Sequence, residues 1–182
     1  HKYWKVESES PDYKVTFRGD TAEIVSPKGL TLWRKEKMSG KVTIEYDACV
    51  VSETEKDRLS DLNCFWMVSD PKHPDNLWKR EKWRNGIFLN CYSLQLYYMG
   101  YGGNHNSTTR FRRYDGNEAG ITDPQARPAV LKEYTDAEHL LKANHWYHIK
   151  ITNENNRVSY YIDGKRLVDF RDAKPLTEGW FG

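Results

Sequence analysis

The chain has 182 residues, enough for one domain with a sizeable core. Its 28 basic and 26 acidic residues leave a formal net charge of +2, which excludes nucleic-acid recognition through a broad basic field. No run of about 18 apolar residues occurs, which excludes a membrane-spanning helix. Aromatic residues make up 14%, with 7 Trp and 12 Tyr, and favour β structure and flat or sugar-like ligands.

In chain order, residues 1–9 (KYWKVE within them) read as an edge strand. Two short strands follow at residues 13–18 and 22–25 around the tight turn Gly19-Asp20. Residues 26–29 form a turn, and residues 30–33 resume a strand. Residues 41–51 alternate cleanly, with Val42, Ile44, Tyr46 and Ala48 on one face and Thr43, Glu45 and Asp47 on the other. Residues 59–69 read as a strand with Asp61, Asn63, Phe65 and Met67 on one face and Leu62, Cys64, Trp66 and Val68 on the other. Asp70-Pro71 ends it.

A charged segment with a helical turn near residues 78–83 comes next. Residues 117–128 carry Gly and Pro and read as a surface loop. One helical turn is expected within residues 134–141. Three strands, at 145–152, 157–162 and 167–171, close the chain, the last two linked by the two-residue turn Asp163-Gly164. Many short strands with frequent turns and no long amphipathic helix predict an all-β, two-sheet antiparallel β-sandwich. The three cysteines, Cys49, Cys64 and Cys91, cannot all pair within the chain and read as buried free thiols. Trp180-Phe181-Gly182 looks like the start of a strand, so the sandwich is expected to continue past it or to lack its final strand.

Residues 94–115, LQLYYMGYGGNHNSTTRFRRYD, carry the densest chemistry. Leu94, Leu96 and Tyr98 point one way; Gln95, Tyr97, Met99 and Tyr101 point the other. After the Gly102-Gly103-Asn104-His105-Asn106 turn, Thr108, Arg110, Arg112 and Tyr114 share a face. Arginines beside this many tyrosines fit an anionic, hydroxyl-rich ligand.

YYMGYGGNHNSTTRFRRY, residues 97–114, resembles a signature of secreted bacterial concanavalin-A-like jelly-roll proteins of the lectin/glucanase type, found among polysaccharide-utilisation genes. Residues 145–182 are similar to the C-terminal strands of that group, and RLSDLNCFWMVSDP, residues 58–71, to its central strand. The resemblance covers most of the chain from about Lys41 onward and implies a jelly roll, a secreted or periplasmic location and a carbohydrate ligand; with the length and strand pattern, the chain reads as one jelly-roll domain over residues 1–182. Calcium is a common structural ion in such sandwiches, but no Asp-rich loop specifies it here, and no cofactor or metal is expected. Residues 58–62 and 97–101 also resemble two strand motifs of jelly-roll alginate lyases; the Gln-x-His element of that pattern is missing.

Three chemistries follow. Elimination on a uronic-acid polysaccharide needs a carboxylate neutraliser, a base and an acid. Arg110 and Arg112 serve the first role with Asn104, His105 is the candidate base, and Tyr98 or Tyr101 the acid. Asp61, Asn63, Trp66 and Glu45 are candidate substrate contacts. Hydrolysis needs two carboxylates about 5–10 Å apart, drawn from Glu45, Asp47 and Asp61. A binding module needs only exposed aromatic platforms and a few polar clamps, with Trp66, Trp78, Trp83 and Tyr101 as candidates. The expected partner is an acidic polysaccharide or oligosaccharide.

Overall fold

Alternation of apolar and polar side chains sorts this chain into strands, and the computed structural model, which describes residues 1–182, places fourteen of them. They are β1 (Trp4–Ser8), β2 (Lys14–Arg18), β3 (Thr21–Val25), β4 (Leu30–Arg34), β5 (Met38–Ser39), β6 (Val42–Cys49), β7 (Leu62–Ser69), β8 (Gln95–Gly102), β9 (Thr108–Asp115), β10 (Lys132–Tyr134), β11 (Trp146–Glu154), β12 (Arg157–Ile162), β13 (Lys165–Arg171) and β14 (Glu178–Gly179). Two four-stranded antiparallel sheets form the sandwich, in the orders β10-β9-β8-β7 and β13-β12-β11-β6. Shorter ribbons pair β1 with β4, β2 with β3 and β5 with β14. No helix is long and apolar enough to cross a membrane.

The main core lies between the sheets. Trp66, Tyr97, Met99, Tyr101 and Phe111 of the first sheet meet Ile149, Ile151, Val158, Tyr160 and Val168 of the second. A second core covers part of the first sheet's outer face. There Phe65, Leu94, Leu96, Tyr98 and Tyr114 pack with Leu77, Cys91 and Tyr92 from the helical turns Leu77–Arg80 and Phe88–Ser93, and with Trp33 and Trp180. β8 is therefore buried on both faces, and its sequence reads as a nearly continuous apolar run.

β7 departs from simple alternation. Met67 takes φ 51°, and the pairing with β8 shifts register between Trp66 and Ser69. This bulge puts Met67 in the inter-sheet core beside Trp66 and turns Val68 to the opposite face, reversing the faces expected for both. β10 is also new, a three-residue edge strand whose last residue, Tyr134, is the first of the stretch expected to hold a helical turn. Residues 180–182 are strand-like, as expected, and have partners within the chain. Trp180 and Val68 exchange both backbone hydrogen bonds at 2.9 Å, and Gly182 and Phe65 do so at 2.7 and 3.1 Å. On the other side Arg34 N–H donates to the Phe181 carbonyl at 2.8 Å, so this segment joins the β1-β4 ribbon to the first sheet.

The ribbon is anchored by a buried ion pair. Arg84 Nε and Nη2 donate to the Glu7 carboxylate at 3.2 and 2.9 Å, and Nη2 also donates to the Leu77 carbonyl at 2.9 Å. Gly86 lets the two backbones meet, at φ +68° and with Ser8 and Glu9 backbone atoms 2.6 Å from where a β-carbon would stand. All three cysteines are free; Cys64 and Cys91 are buried, and desolvation pushes both thiols up to about 12, so neither is a nucleophile at neutral pH.

A second buried carboxylate joins the sheets. Asp172 accepts from Tyr97 Oη at 2.7 Å, from Arg113 Nε at 2.6 Å and from the Lys174 amide at 2.9 Å. Burial pushes the Asp172 carboxyl up, but the bonds from Tyr97, Lys174 and Arg113 outweigh it and hold the group below its ordinary value. Its stabilisation is thus complete above the unfolded value, about 3.9, and is lost as pH falls through the lower native value. Asp172→Asn is expected to cost about 1–3 kcal/mol at pH 7. The gap between the variant and the parent should narrow below about pH 4, read as urea midpoints from pH 3 to pH 7. A gap that does not narrow would contradict this assignment.

Candidate functional site

The part of the first sheet's outer face left open by the second core holds a polar trough. Pairing sets its rows. Asn63 stands opposite Gly100, Gly100 opposite Arg110, and Arg110 opposite Glu133. The next row is Phe65, Tyr98 and Arg112. Gly100 forms the floor because it has no side chain, and the Tyr98 ring lies along β8 across it. A β-carbon on Gly100 would collide with the Tyr98 hydroxyl and stand 2.6 Å from its Cζ.

Aromatic rings wall one side. Phe65, Phe88 and Tyr114 surround the Tyr98 ring at centroid distances of 5.6, 5.8 and 5.6 Å. Tyr98 is only 8% exposed. Burial, then the nearby Asp61 charge, pushes its phenol up, with Arg112 opposing, so it stays protonated near neutral pH. Across the trough, Arg112 Nη1 donates to the Pro128 carbonyl at 3.1 Å. Arg110 is paired with Glu133, which offsets its charge. Asn63 Oδ1 is buried and has no partner. An acceptor left this way costs about 1–3 kcal/mol unless a ligand donor or water meets it. At the hairpin end Asp61 holds φ 63°, donates its N–H to the Gly102 carbonyl at 3.0 Å, and is engaged by Arg58 and by Ser60 Oγ.

The sequence-derived candidates divide accordingly. Tyr98, Arg110, Arg112, Asp61 and Asn63 gather on this face. Asn104 borders it, donating from Nδ2 to Thr108 Oγ1 at 3.2 Å. Tyr101 and Trp66 do not join them. They are 2% and 0% exposed and lie in the inter-sheet core, which corrects their assignment as acid and sugar platform. Alternation already separates them, because Tyr101 has the opposite parity to Tyr98 and Trp66 to Asn63. His105 is exposed in a left-handed turn, φ 56°, at the hairpin tip beyond the last paired row.

Glu45 is on the outer face of the other sheet, where it pairs with Lys150 at 3.2 Å. With the sandwich between them, Glu45 and Asp61 do not flank a common bond, which removes that pair from the hydrolytic reading. Phe88 and Glu133 were not among the candidates. Phe88 reaches the trough from a helical turn, and Glu133 from the unanticipated β10. The carboxylates of Asp136 and Glu138 and the His139 ring lie within 4.8 Å of one another, but Asp136 already engages His139 and Glu138 engages Lys165, a surface charge cluster.

Two solved structures resemble the whole sandwich. One is a carbohydrate binding module, CBM66, from Bacillus subtilis, with 15% identity and a TM-score of 0.59, covering 98% of this chain and 84% of that one. The other is a Bacillus subtilis protein of unknown function with a galectin-like fold, with 15% identity and a TM-score of 0.71, covering 100% of this chain and 81% of that one. At this identity the likeness establishes the fold, a galectin-like, concanavalin-A-like jelly roll. No curated protein matches the chain. Residues 24–182 match a family described as a domain of unknown function, DUF6250, and over that span the chain belongs to it.

Proposed function

We propose that the protein binds carbohydrate in the Gly100 trough, and that the ligand is an acidic polysaccharide or oligosaccharide. The row Asn63–Gly100–Arg110, with Arg112 alongside, carries this reading. It places an unpartnered buried acceptor, a side-chain-free floor and a guanidinium with unused donors on one face walled by aromatic rings. Asn63 Oδ1 would accept from a sugar hydroxyl, and Arg112 would donate to a uronate carboxylate. The likeness to a carbohydrate binding module supports the ligand class.

Retardation in native gels containing polygalacturonate or alginate tests the proposal. The protein should be retarded by at least one of them, and Arg112→Ala should weaken binding about tenfold to a hundredfold, the loss of one charge-assisted contact. Equal retardation of Arg112→Ala, or no retardation by either polymer, overturns it.

Cleavage of the bound polymer by β-elimination is a second reading, favoured by the protonated Tyr98 hydroxyl beside Arg112. A base, His105 among the candidates, would take the C5 proton. The C4–O bond would break as its neighbour becomes a double bond, and Tyr98 would protonate the departing oxygen. A rise in ultraviolet absorbance from an unsaturated uronate is the expected signal. Binding without that rise rejects elimination and leaves the binding proposal standing.

A further inference from the structure

The outer face of the second sheet is a different surface from the trough, and its chemistry differs too. Trp146, at the start of β11, is 61% exposed, although tryptophan is on average among the most buried side chains. Alternation along β11 puts His148 and Lys150 on the same face. Pairing with β6 brings Asp47 opposite His148 and Glu45 opposite Lys150, and pairing with β12 brings Tyr161 to the other side of Lys150. An aromatic ring therefore stands at each end of a polar row, about 13 Å apart along the strand direction. Between them His148 Nδ1 contacts Asp47 Oδ1 at 2.8 Å and Nε2 lies 3.6 Å from Glu45, while Lys150 Nζ is 3.2 Å from Glu45. Beside Trp146, His145 approaches Asp163 at 3.5 Å.

We infer that this stripe is a second glycan-binding site, for a neutral oligosaccharide or polysaccharide. An exposed indole offers a flat apolar surface to the carbon–hydrogen face of a sugar ring, and the carboxylates of Asp47 and Glu45 accept from sugar hydroxyls. The charge decides the class. Asp47, Glu45 and Asp163 outnumber Lys150, the cation between the two rings, and Arg166, opposite Tyr161, lies 3.4 Å from the Asp169 carboxylate, which offsets its charge. A uronate carboxylate is therefore repelled here while it is attracted to Arg112 on the opposite face. The separation of Trp146 and Tyr161 fits a chain of rings better than a single ring. This inference stands apart from the trough proposal and uses none of its residues.

The test is retardation of the full chain in native gels containing hydroxyethyl cellulose, galactomannan or soluble xylan. The protein is expected to be retarded by at least one of them. Trp146→Ala should weaken that retention at least tenfold, and Asp47→Asn with Glu45→Gln should weaken it further. Trp146→Ala should keep any retention on polygalacturonate or alginate, and Arg112→Ala should keep the neutral retention. Trp146 is largely in solvent, so its removal should leave the unfolding midpoint unchanged, and the double amide variant provides a second check. Absence of retardation in all three neutral gels, or undiminished retention by Trp146→Ala, overturns the inference.

Discussion

Gly100→Ala is expected to abolish retention on acidic polysaccharide, a larger effect than removing any single donor. The added methyl has nowhere to go, because the Tyr98 hydroxyl and Cζ already occupy its place. The ring is hemmed in by Phe65, Phe88 and Tyr114, so it can only move outward across the floor of the trough. Overpacking of this kind costs about 1–3 kcal/mol, which lowers the unfolding midpoint without removing the fold. Binding should fall below detection in the affinity gels. Tyr98→Phe is the companion variant. It keeps the ring and the open floor, so it should bind as the parent does, and any ultraviolet signal from elimination should disappear. Normal binding by Gly100→Ala would mean that the trough is not where the polymer sits.

Glu7→Gln is expected to have the largest effect on stability. Arg84 is fully buried, its Nη1 already lacks a partner, and Glu7 is the only carboxylate that contacts it. Breaking such a pair from one side typically costs about 3–5 kcal/mol, because the remaining charge stays buried without compensation. Against a total stability of roughly 5–15 kcal/mol, that loss is a substantial fraction. Replacing both partners, with Glu7→Leu and Arg84→Met, should recover most of it, since an apolar pair of similar volume carries no desolvation penalty. Urea unfolding of the three proteins measures this. A cost below about 1 kcal/mol for Glu7→Gln would place the pair among ordinary surface ion pairs.

The sandwich was legible because its strands obey a two-residue period. β6, β11 and β12 each turn one parity to the core, and the apolar letters mark that parity, while β8, buried on both faces, is marked by its nearly continuous apolar run. What the letters do not carry is backbone conformation. Nothing in the side chain of Met67 announces a left-handed residue, so the face reversal after Trp66 was hidden. β10 is three residues long and defined by its partner β9, not by its own composition. The trough was half legible. Parity grouped Tyr98 with Leu96 and Arg110 with Arg112, and the same parity argued against Tyr101 and Trp66, whose residue types had recommended them. Which strand lies beside which is a long-range fact, and it decides that Asn63 faces Gly100 and that Glu45 belongs to the opposite surface. Phe88 was out of reach for a similar reason, since a helical turn brings it back over a strand that follows it in the chain.

The seam formed by residues 180–182 has a consequence for the order in which this fold can close. Phe181 bonds Arg34 of β4, while Trp180 and Gly182 bond β7 on the other side, so three segments far apart in sequence must meet before the seam forms. Contacts this distant in sequence slow folding and lengthen the time that strand edges stay open to other chains. Closure of the seam is therefore a late folding event, following the local hairpins β8-β9 and β12-β13, and until it closes the edge of β7 stays unshielded.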